Sequence, residues 1–113
     1  MIDAKDLRIG NWINDRGLNT QLKRSMLVNI LQNVNVSFCR PIELTEEILL
    51  ESGFEKDYDE IFLDNVYLKY FNNELFYSGF TGYKVSDEPI LYVHQIQNLF
   101  YCLQGKELEI NGL

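Results

Sequence analysis

The stretch QLKRSMLVNILQNVNVSF, residues 21–38, decides how the first third of the chain folds. Leu22, Met26 and Ile30 recur at helical spacing, whereas Met26/Val28/Ile30 and then Val34/Val36/Phe38 alternate with period two. We read two strands around Gln32 and Asn33, with a helix within 19–31 as the alternative. The preceding LRIGNWI (7–13) is rich in β-branched and apolar residues and runs into the turn cluster NDRG (14–17), so it reads as a strand. Residues 7–38 then form a small antiparallel meander that can curl towards a barrel, its loops carrying Arg16, Lys23 and Arg24. Arg40-Pro41 breaks the pattern.

Beyond that break, LTEEILLESGF (44–54) carries the clearest helix signal, over about 45–52. Thr45 suits the N-cap, Glu46 and Glu47 favour the positive end of the helix dipole, and Gly53 suits the left-handed position after the last turn. Leu44 and Leu49 have the spacing of a hydrophobic staple. EIFLD (60–64), VYLKYF (66–71) and LFYSGF (75–80) read as three antiparallel strands, the last two joined by the tight-turn residues Asn72, Asn73 and Glu74. A second helix covers 91–104, stopped by Gly105, and ELEI (107–110) suggests a closing strand. The fold class is α+β, an antiparallel sheet system with two helices, in a single domain of 113 residues.

Charge sorts along the chain. Residues 1–40 hold six basic and three acidic side chains, and residues 41–113 hold four basic and fourteen acidic ones. Nine acids fall within 43–64 against Lys56 alone. Such a field repels phosphate, so duplex nucleic acid is disfavoured as a partner, and a solvated face is the simplest account of Glu47, Glu51, Glu55, Asp57 and Asp59. Cys39 and Cys102 form no CxxC pair, which fits reduced thiols in a cytoplasmic protein. The N-terminus lacks the apolar run of a signal peptide, and no stretch is long and apolar enough for a membrane span. No metal-ligand spacing or cofactor motif is present, and we expect neither.

The segment YVHQIQNLFYCLQG (92–105) holds the chain's single histidine. On a helical wheel Tyr92, Val93, Ile96, Leu99, Phe100 and Leu103 share an arc that buries against a sheet. His94, Gln95, Gln97, Asn98, Tyr101, Cys102 and Gln104 fall elsewhere and include no Lys, Arg, Asp or Glu. Amide, phenol and imidazole groups are cheaper to desolvate than charges, so this face reads as a second contact surface, with His94, Gln97, Asn98 and Tyr101 at its centre. Cys102, late in a helix, lacks the N-terminal dipole that activates a thiol. The rings of Tyr67, Tyr70, Phe71, Phe76, Tyr77, Phe80 and Tyr83 could stack bases, but cross-strand packing explains them more simply.

KDLRIGNWI (5–13), PIELTEEILLESGF (41–54) and YVHQIQNLFYCLQGKEL (92–108) together resemble a family of small uncharacterised proteins of gut Bacteroidetes and their phages or mobile elements. The resemblance implies a bacterial or phage cytoplasmic setting and a single domain, and brings no activity or catalytic residue. Three functional readings follow. The first is a non-enzymatic accessory domain that binds a protein partner or itself through the uncharged helix face. The second is nucleic-acid related: weak binding through Arg16, Lys23 and Arg24, or inhibition of a DNA-binding protein by the acidic segment. The third and weakest is an enzyme using His94 as general base, beside Asn98 and Tyr101 at i+4 and i+7.

Overall fold

The structure, a computed structural model, describes residues 6–32, 39–79, 85 and 87–113. Two compact units make up the chain: Met1–Glu43 with Tyr92–Asn98, and Leu44–Leu91 with Leu99–Leu113. The class is α+β, with antiparallel sheets and no closed barrel among the described residues.

In the first unit, strands β1 (Trp12–Asp15), β2 (Leu18–Gln21) and β3 (Cys39–Pro41) form an antiparallel sheet of order β2-β1-β3. Arg16 and Gly17, both at positive φ (54° and 89°), make the two-residue turn between β1 and β2, a geometry that matches strand twist. The strand expected over 7–13 starts only at Trp12, because Gly10 (φ 97°) bends the chain first and the Asn11 N–H bonds back to the Arg8 carbonyl at 3.0 Å. Pro41 ends a strand where a break was expected; it sits on an edge strand opposite Ile13, where its missing N–H is tolerated.

The largest departure from the sequence reading is α1 (Arg24–Leu31), a third helix where a strand was expected. Ile13, Leu22, Ile30 and Cys39 form a buried cluster, and Met26 and Leu27 pack against it. Met26 and Ile30 thus use the helical period, with Leu22 packing from just before the helix, while Val28, needed inward by the alternating pattern, is 41% exposed. The helix has no legible start. Lys23 occupies the N-cap without a side-chain hydrogen bond, and the first turn holds no acid. The strand expected over 34–38 lies outside the described residues.

The second unit contains α2 (Glu46–Glu51) and an antiparallel sheet of order β4-β5-β6-β7, formed by β4 (Glu55–Asp57), β5 (Glu60–Leu63), β6 (Val66–Phe71) and β7 (Glu74–Tyr77). Thr45 caps α2 as its spacing predicts, its Oγ1 accepting the Ile48 N–H at 3.2 Å, and Gly53 takes φ 102° just past the end. Asn72 and Asn73 (φ 52° and 66°) form the β6–β7 turn. Strand β4 was not foreseen, since Glu55, Lys56 and Asp57 are exposed and charged; pairing with β5 makes it a strand, and charge suits an edge. Ile61, Val66 and Leu68 are fully buried, and Phe54 meets Phe100 edge to face at 6.5 Å.

Helix α3 (Val93–Gln104) supplies residues to both units. Gln95 at its third position accepts the Tyr92 N–H at 3.0 Å, and Gly105 (φ 70°) ends it. The closing strand expected at 107–110 is absent. Leu108 and Ile110 are buried from an irregular tail, so their alternation records burial without a ladder. Ser52 anchors that tail, donating from Oγ to the Asn111 carbonyl (3.3 Å) and accepting the Asn111 N–H (2.9 Å).

Thr45→Ala removes the α2 cap and should lower stability by about 1 kcal/mol, read as a reduced urea midpoint with an unchanged slope.

Candidate functional site

The sequence points to the polar residues of α3. In the first unit, Gln97 is fully buried; its Oε1 accepts the Trp12 N–H at 2.8 Å and its Nε2 donates to the Gly10 carbonyl at 3.2 Å. Asn98 Oδ1 accepts from Arg8 Nε (3.2 Å) and Asn11 Nδ2 (2.8 Å), and its Nδ2 donates to the Asp6 carbonyl at 2.8 Å. The face read as a contact surface is therefore turned, at Gln97 and Asn98, onto residues 6–12 of the same chain. Those bonds explain its lack of charge, because amides can satisfy backbone groups in a buried setting.

His94 is 4% exposed, and its ring lies parallel to Tyr92 at 5.9 Å between centroids. Its Nδ1 has no hydrogen-bond partner among the described residues. Burial lowers its pKa, and the Asp6 carboxylate offsets part of that, so the neutral imidazole is favoured. No described carboxylate hydrogen-bonds and orients it as an enzyme base requires. Cys39 offers no nucleophile either, since burial and the neighbouring Asp15 raise its thiol pKa. Tyr101 and Leu103, each 42% exposed, and Cys102 stay at the surface; Leu103 departs from the buried arc expected of it.

The second unit brings together groups that the sequence keeps apart. Leu44, Leu49, Leu75, Ile90 and Leu91 line a half-open cleft of about 160 Å³, together with Thr45, Glu46, Tyr70, Asn73 and Glu74. Two backbone bonds set its walls, Leu44 N–H to the Leu91 carbonyl (2.9 Å) and Ile90 N–H to the Leu75 carbonyl (2.7 Å). Lys56 Nζ reaches Glu46 at 2.8 Å, which raises the lysine pKa and keeps it an ammonium. Burial, and then the Glu46 carboxylate, raise the Tyr70 pKa, leaving a neutral phenol that can donate. The volume is near the roughly 150 Å³ of a cavity that holds benzene and below the roughly 300–1,000 Å³ of ligand pockets. It suits one apolar side chain with a polar or charged neighbour.

The other residues read from sequence fall in separate places. Glu47, Glu51, Glu55, Asp57 and Asp59 are all exposed in the second unit, and Asp57 faces Glu60 across the β4–β5 pair, a like-charge opposition that costs stability. Arg16 occupies the β1–β2 turn, 3.9 Å from Asp15, while Lys23 and Arg24 open α1, so the three do not share one loop. The rings pair with each other: Phe62 stacks on Tyr67 at 5.7 Å, Phe71 meets Phe76 at 6.0 Å, and Lys69 lies over Phe71 at 5.8 Å. Phe80 and Tyr83 lie outside the described residues. No group of three His, Cys, Asp or Glu suited to a metal occurs among the described residues. No protein-family model, curated protein or solved structure matches the chain.

Two outcomes test the α3 assignments. Gln97→Ala leaves the Trp12 N–H without its acceptor and removes one of the two side-chain donors to the Gly10 carbonyl, which keeps Gln21 Nε2 at 3.3 Å, and should cost about 1–3 kcal/mol in urea unfolding, whereas Tyr101→Ala should change stability by under about 1 kcal/mol. The second outcome concerns pH. The unfolded imidazole titrates near 6.5 and the folded one lower, so the unfolded chain binds more protons across that window. Stability should fall as pH drops through 6.5, levelling below the folded pKa, and His94→Gln should remove that component from the melting-temperature profile.

Proposed function

We propose that the protein is a non-enzymatic accessory domain that binds another polypeptide by seating one apolar side chain in the cleft of its second unit. The carrying observation is the cleft itself: five aliphatic side chains around about 160 Å³, with Glu46, Tyr70 and Glu74 beside them. Binding sites between proteins concentrate their energy in such anchors. The burial of His94 and the occupation of Gln97 and Asn98 by the chain's own backbone support a role without catalysis. The resemblance to small proteins of gut Bacteroidetes and their phages or mobile elements favours a bacterial cytoplasmic setting. No helix among the described residues is long and apolar enough to cross a membrane.

A photo-crosslinking residue at Glu74, exposed beside the cleft, tests this in cells. A discrete polypeptide adduct that disappears when Leu91→Trp crowds the cleft supports the reading. No adduct, or one indifferent to Leu91→Trp with the fold intact by circular dichroism, rejects it.

The exposed carboxylates favour a second reading, an acidic inhibitor of a DNA-binding protein, because Asp57 stands opposite Glu60 at a cost to stability. Affinity for a basic DNA-binding protein should then fall steeply with salt and with the pair Asp57→Asn and Asp59→Asn, measured by calorimetry.

A further inference from the structure

In the first unit, β2 (Leu18–Gln21) is an edge strand whose four residues include no charge, and Leu18 is 74% exposed. Hydrogen bonding in an antiparallel pair alternates, so the direction of each peptide group follows from one fixed point. That point is Leu22, whose N–H donates to the Asn11 carbonyl at 2.7 Å and whose carbonyl accepts the Gly10 N–H at 2.9 Å. Counting back, Thr20 and Leu18 face β1, opposite Ile13 and Asp15, and the backbone groups of Asn19 and Gln21 face outward. Proteins guard such an edge with charge, proline or a bulge, and β2 itself carries none of these.

Charge stands at the two ends instead: Arg16 before the strand, with the Asp15 carboxylate 3.9 Å from it, and the exposed Lys23 and Arg24 after it. This placement opposes a second copy in the register that faces Asn19 of one copy with Gln21 of the other. The antiparallel register centred on Thr20 would set Arg16 of each copy against Arg24 of the other. The same placement attracts a segment with acids at both ends, in either strand direction. Outward peptide groups offer a donor and an acceptor in alternation, which another peptide backbone matches, while a phosphate chain uses the donors alone.

We infer that the outer edge of β2 is a strand-addition site for an extended, acid-flanked polypeptide segment. The partner's central residues pair by main-chain hydrogen bonds with Asn19 and Gln21, and its flanking carboxylates meet Arg16 at one end and Lys23 and Arg24 at the other. The surface shares no residue with the cleft and stands or falls independently of it.

The test is fluorescence anisotropy on the full chain with a labelled peptide of alternating valine and threonine flanked by paired glutamates, against the same peptide flanked by lysines and a single-stranded oligonucleotide. Two variants accompany the native chain. Asn19→Pro removes an outward N–H and the exposed side-chain bond from Asn14 Nδ2 to Asn19 Oδ1 (3.1 Å), and leaves the backbone bonds to β1 in place, a substitution an edge strand tolerates. Lys23→Glu with Arg24→Glu reverses one end and leaves the backbone unaltered. The expected result is saturable binding of the glutamate peptide only, weakened about tenfold by Asn19→Pro, with preference moving to the lysine peptide in the charge reversal. No saturation with the glutamate peptide overturns the inference, as does binding that Asn19→Pro leaves unchanged in a folded protein. Tighter binding of the oligonucleotide also overturns it. If Asn19→Pro unfolds, the charge reversal decides alone: an unmoved preference rejects the site.

Discussion

The side-chain amide of Gln97 holds the first unit together. It is fully buried, accepts the Trp12 N–H and donates to the Gly10 carbonyl, offering the start of β1 the donor and acceptor that a neighbouring strand would offer. The bend at Gly10 leaves those two backbone groups without ladder partners. Gln21 Nε2 also reaches the Gly10 carbonyl at 3.3 Å, whereas the Trp12 N–H relies on Gln97, and an unmet backbone group in a protein interior costs about 1–3 kcal/mol. Asn98 does similar work one residue on, gathering Arg8, Asn11 and the Asp6 carbonyl. A charged residue at either position would bring a desolvation cost that this arrangement avoids.

Against that constraint, the parts legible from sequence are those governed by local chemistry. Thr45 as cap, Gly53 and Gly105 as helix stops, and the Asn72-Asn73 turn each follow from what one residue does to its own backbone. The parts that were not legible depend on distant residues. Helix α1 begins at Lys23 with no capping hydrogen bond and two basic residues facing the wrong end of the dipole, so the cluster of Leu22, Met26 and Ile30 around Ile13 has to select it. Strand β4 exists because β5 pairs with it. The cleft was hidden for the same reason: Glu46 reads as a dipole partner and Tyr70 as one aromatic among many until α2, β6, β7 and residues 90–91 bring them to one place. The uncharged face of α3 was visible, and its occupant was not, because nothing at 92–104 names the residues at 6–12 that cover it.

The uneven charge of the sequence becomes spatial in the fold. The acids of 46–60 belong to the second unit, and Arg16, Lys23 and Arg24 to the first. Each set is largely exposed, so the chain presents surfaces of opposite sign to its surroundings. Tyr58 sits among those acids. At 91% exposed and φ 58°, it is a bulky residue in a backbone region that seldom accepts one, at the tip between Asp57 and Asp59.

The distance along the chain between Trp12 and Gln97, 85 residues, sets an order of events during synthesis. The strands of the first unit are made before the second unit's hairpins but lack their buried amide until residue 97 has been made. The hairpins at 55–77 close from neighbours a few residues away and can form meanwhile, since loop closure favours short separations. The earlier-made segment thus waits for a later one, and a ribosome stalled before α3 would hold the β1–β2–β3 sheet with the Trp12 N–H still lacking the Gln97 acceptor.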